Sequence, residues 1–126
     1  VRLTYLARLA ASFWLLCVCH TAIAATEADW VTLSETDDSL CLAHGGQLIS
    51  LQLTAAAMTD QVGDVEVWVD RWFMQVQTAD HTRHVLNAQA PVAELGCSQS
   101  IAGPQHWTLG VIKRLPQAGN PSKDVP

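Results

Sequence analysis

Apolar residues in this chain recur in short alternating runs rather than at the 3.6-residue spacing of amphipathic helices, and breaks rich in Gly, Pro and Asp separate the runs. The longest run is 64–77, DVEVWVDRWFMQVQ. Val65, Val67 and Val69 alternate there with Glu66, Trp68 and Asp70, the pattern of a strand with one buried and one solvated face. From Trp72 the phase changes, and Trp72, Met74 and Val76 carry the apolar side chains. A one-residue slip turns a buried set outward, so the run predicts one long strand with a bulge or bend near Asp70 and Arg71.

The flanking segments read in the same way. Residues 27–33 carry a short alternation that predicts a first strand, with the acidic stretch 34–39 as a loop and Gly45-Gly46 as a turn. Ile49, Leu51 and Leu53 predict one face of a strand over 48–53. TAAAM, residues 54–58, suits a short helical turn before a loop. Residues 78–84, TADHTRH, are polar and read as a hairpin connection, followed by strands at 85–90 and 92–97. Gly103-Pro104 marks a loop over 98–105, and 106–114 predicts a closing strand with Trp107, Leu109 and Val111 on one side. The set predicts an all-β fold, a small sandwich or barrel of five to seven short antiparallel strands. An α+β roll using TAAAM as its helix is the alternative.

The first 24 residues stand apart. Arg2 and Arg8 precede an apolar run over 9–19, and the segment closes on Ala22-Ile23-Ala24, the layout of a secretory signal peptide cut after Ala24. The run is shorter than the roughly 20 residues of a spanning helix. The expectation is therefore a signal peptide at 1–24, a single β-rich domain at 25–115, a Pro-rich disordered tail at 116–126, and a periplasmic or secreted location with no membrane span after cleavage. An uncleaved anchor is the alternative. In such an oxidising setting Cys41 and Cys97, the pair left after cleavage, predict one disulfide.

Charge narrows the functional classes. Loss of Arg2 and Arg8 leaves five basic against twelve acidic residues, a net charge of −7 with no basic cluster, which argues against a nucleic-acid partner. No G-x-S-x-G, H-E-x-x-H, Walker or paired-glycine motif is present, so neither an enzyme nor a cofactor is expected. Two sets of residues carry what chemistry the chain offers. His81 and His84, with His44 or His106 in support, could ligate a metal; the two rings would converge on a turn or helix and diverge on a strand. Trp68, on the predicted outer face with Glu66 and Asp70, is an amphipathic anchor beside two acids, which points to a protein partner with basic character. The expected function is an exported, non-enzymatic interaction domain of an inhibitor, immunity or assembly kind. A periplasmic metal-binding protein is the alternative.

Overall fold

The computed structural model describes residues 26–117, so the expected signal peptide at 1–24 and the last nine residues, in the expected tail, lie outside the described residues. A 3-10 turn (Glu27–Asp29) opens the described chain, followed by β1 (Val31–Thr36), α1 (Ser39–Leu42), β2 (Leu48–Leu53), α2 (Ala55–Thr59), β3 (Val65–Phe73), β4 (Val76–Leu86), β5 (Val92–Cys97), β6 (Gln99–Ser100) and β7 (Gly103–Arg114). Two antiparallel sheets form, ordered β1-β2-β5 and β4-β3-β7-β6. The all-β sandwich with one disulfide is thus what the chain adopts.

The buried side chains come from the inner faces of both sheets. Val31, Ile49, Leu51 and Leu53 meet Val65, Val67, Val69, Leu86 and Trp107 in one core. The two short helices need their caps: Asp38 accepts from the amides of Leu40 and Cys41, and Thr54 accepts from that of Ala57. β5 passes through Ser98 directly into β6, so the chain changes sheets at this corner. Cys97 sits there and is bonded to Cys41 of α1. Gly46 is pressed against the same corner. A Cβ at Gly46 would lie 2.5 Å from the Gln99 amide nitrogen, so only glycine lets the crossing come this close.

Several sequence expectations are corrected. Residues 64–77 are two strands: Met74 and Gln75, at φ 48° and 68°, form a two-residue turn between β3 and β4. TADHTRH is therefore part of β4, not a connection, and the loop that follows lies at 87–91. The first strand starts at Val31, after the 3-10 turn, and extends to Thr36. The register does shift at Asp70/Trp72, as expected. The extra residues, however, lie in β4, where Thr78, Ala79 and Asp80 stand opposite Arg71. β3 consequently keeps one alternation throughout, and Trp72 stays on the same outer face as Glu66, Trp68 and Asp70. In β7 a second shift sets Gly110 and Val111 together opposite Trp68. It brings Ile112 to the core side and leaves Val111 exposed, against the expected face.

Candidate functional site

The outer face of β4-β3-β7 follows from this register as cross-strand rows. Val85, Glu66 and Lys113 form one row; Arg83 and Trp68 face the bulge in the next; His81, Asp70 and Thr108 make a third, and Gln77, Trp72 and His106 a fourth. Two tryptophans thus stand on a sheet face that the other sheet does not cover. Both are half-buried rather than free.

What holds them is visible in the contacts. Trp68 stacks on His81 with ring centroids 4.7 Å apart and planes 12° from parallel, and its Nε1 donates to Glu66 Oε1 at 3.1 Å. Trp72 stacks on His106 at 5.7 Å, and its Nε1 donates to Thr108 Oγ1 at 3.0 Å. Stacking with a satisfied indole N–H fixes each ring in one rotamer. Glu66 was expected to point into water; it is 5% exposed. Arg83 Nε donates to its Oε2, and Lys113 Nζ lies 3.3 Å from its Oε1. The Arg83 hydrogen bond holds this carboxyl below its ordinary value; burial opposes that, and the Trp68 and Lys113 hydrogen bonds reinforce it. Asp70 accepts from His81 Nδ1 at 2.6 Å.

The expected acidic face is therefore one whose acids already have partners. Both carboxylates are paired within the sheet, and the basic residues that pair with Glu66 come from β4 and β7, which no local pattern in β3 announces. The structure brings Glu66, Trp68 and Asp70 together as predicted from alternation, and adds Trp72, His81, Arg83, His106 and Lys113. Trp72 continues the even-numbered alternation of Glu66, Trp68 and Asp70 within β3, and His81 and Arg83 stand two apart on β4, legible once the turn at Met74-Gln75 is recognised; His106 and Lys113 are seven apart across the β7 bulge, and no sequence spacing announces them.

His81 and His84 do not converge. They lie three apart on a strand, His81 on the outer face with Asp70 and His84 on the inner face beside Thr82, whose hydroxyl is 3.1 Å from His84 Nε2. His44 lies on the loop after α1 and His106 on β7. Among the described residues no group of three or more His, Cys, Asp or Glu side chains gathers round a point. His84 instead lines a shallow cleft of about 310 Å³ where β4 overhangs β5, with Arg71, Asp80, Thr82, Leu95 and Trp107. Burial there lowers the imidazole pKa from its ordinary value. Arg71 in the same cleft is already committed to Asp80 at 2.6 Å and to Gln105 Oε1 at 3.1 Å.

No family model matches this chain, and no significant match is found among curated proteins or solved structures.

Proposed function

We propose that this chain is an exported, non-enzymatic interaction domain that binds another envelope or secreted protein through the outer face of β4-β3-β7. The observation that carries this is the pair Trp68 and Trp72, half-exposed on one sheet face and each locked by a stacked histidine and a hydrogen-bonded indole N–H. A ring already held in one rotamer loses little side-chain entropy on binding, and large preorganised aromatics are the usual anchors of interface hot spots. The internal pairing of Glu66 and Asp70 changes the partner expected at this face. Selection for a basic partner is weakened where Glu66 already pairs with Arg83 and Lys113 and Asp70 is hydrogen-bonded to His81, so contact here rests on the aromatic edges and on the hydrogen-bonding rim of Arg83, His81 and Gln77.

The test is site-specific photo-crosslinking from position 77, exposed beside Trp72 on the same face, in cells that export the full chain, followed by reconstitution with the protein captured. Trp68→Ala is expected to weaken that complex by about 1–2 kcal/mol while the variant keeps its folded far-ultraviolet signature. A variant that loses several kcal/mol of stability instead would make Trp68 a core residue and end this proposal.

A further inference from the structure

One end of the sandwich gathers exposed apolar side chains from three separate segments. The turn of β3-β4 contributes Met74 and Val76, the turn of β6-β7 contributes Ile101, which is 92% exposed, and α1 contributes Leu40 and Leu42. These segments are neighbours. Met74 N donates to Pro104 O at 3.0 Å, and a Cβ at Gly103 would touch the Met74 side chain at 3.1 Å. Ser98 at the sheet crossing exchanges hydrogen bonds with Gln47, donating to its carbonyl at 2.8 Å and accepting from its amide at 2.9 Å. The disulfide ties α1 to the same corner.

Two further features set this end apart. The β3-β4 turn holds both central residues at positive φ, where Asn-Gly is the favoured pair, yet the chain has Met and Gln there. An apolar side chain is thus kept in the solvent at a position that favours a small polar one. The charge pattern is also one-sided. Segments 36–48, 73–79 and 97–105 contain Asp37 and Asp38 and no Lys or Arg, and the four Lys and Arg residues of the described chain all lie in β3, β4 and β7.

We propose that this end is a second docking surface, and that its occupant is a protein presenting an apolar groove with a basic rim. A lipid bilayer fits the same side chains less well. Peripheral insertion is generally supported by Lys and Arg at the headgroups and by interfacial Trp or Tyr, and these segments carry neither. An apolar tip with an acidic shoulder is complementary to a basic-rimmed groove, with Asp37 and Asp38 steering the encounter and the five apolar side chains filling the groove. The proposal shares with the preceding section only the premise that the domain works by binding. It does not depend on the tryptophan face.

Photo-crosslinking groups are introduced singly at Ile101, at Leu40 and, as a control on the opposite end, at Met58 in the full chain, in exporting cells. The expected result is one discrete protein adduct shared by the Ile101 and Leu40 positions and absent from Met58. With that protein purified, Ile101→Asp is expected to weaken the complex at least tenfold, and Asp37→Asn or added salt to weaken it severalfold. Since Ile101 is almost wholly in solvent, its replacement leaves the fold in place, to be checked by thermal unfolding. Absence of a shared adduct overturns the proposal. So does co-sedimentation with phosphatidylcholine vesicles that Ile101→Asp abolishes, or a dimer in sedimentation velocity that Ile101→Asp dissociates, since the occupant would then be lipid or a second copy. A complex weakened by Trp68→Ala and untouched by Ile101→Asp also overturns it, while the tryptophan-face reading stands.

Discussion

Glu66 is the residue on which the outer face turns, because it is a nearly buried carboxylate surrounded by three donors from three strands. Its folded pKa lies below the ordinary value of 4.5, chiefly through Arg83. Where the folded value is depressed, the unfolded chain takes up the proton first as pH falls, so the stabilisation is fully present above the unfolded value and disappears as pH drops through the folded one. Glu66→Gln is therefore expected to lower stability at neutral pH and to flatten the loss of stability below about pH 4.5, relative to the unaltered chain. Urea unfolding across that range measures both. Arg83 and Lys113 are about half exposed, so the substitution leaves their charges in water rather than stranded in an apolar interior. An acid limb identical in the two proteins would show that the network does not hold the carboxyl down.

Among the elements, the β3-β4 hairpin has the least expected chemistry. The alternation of Trp72, Met74 and Val76 runs unbroken across Met74 and Gln75, and neither residue marks a turn. Non-glycine residues at positive φ cost on the order of 1 kcal/mol each. Replacing Met74-Gln75 with Asn-Gly is expected to raise the stability of the domain by about 1 kcal/mol, read from the shift in a denaturant midpoint at unchanged slope. If the apolar end docks as proposed, the same variant also loses binding there, which would explain why the less stable pair is present. The edge strand β4 has its own protection. Its bulge at Thr78–Asp80 and its Arg83 and His81 side chains interrupt the flat edge that would otherwise invite strand addition.

For the whole molecule, the Cys41–Cys97 bond joins α1 to the corner where the chain passes from one sheet to the other. It closes a sequence separation of 56 residues, so on the chain-entropy model it stabilises the fold by roughly 4 kcal/mol. For a domain of this size that is a large share of the typical total of about 5–15 kcal/mol. Reduction, or Cys41→Ser with Cys97→Ser, is expected to lower the unfolding free energy by an amount of that order, with the apolar end and its α1 side chains loosened first. Proteolysis of the reduced protein near α1, before any cleavage in β3, checks the order. Equal susceptibility of the two segments would mean that the bond acts on the fold as a unit.

Local sequence was sufficient for whatever depends on nearest neighbours. Period-2 alternation located β2, β5 and the inner face of β3, Cys41 and Cys97 as the cysteine pair outside the expected signal peptide identified the disulfide, and TAAAM supplied α2. It failed where a strand is polar on both faces: β4 is exposed along most of its length, so TADHTRH carries no hydrophobic period to betray it. It failed too at Met74-Gln75, where the turn is imposed by pairing to β4 and β7 rather than by a turn-forming residue. Which acids are free and which histidines meet was beyond the sequence for the same reason. Glu66 is neutralised by Arg83 and Lys113, 17 and 47 positions away, and His81 and His84 are parted by the strand they share. Alternation states which side a residue faces; only the register between strands decides what it faces.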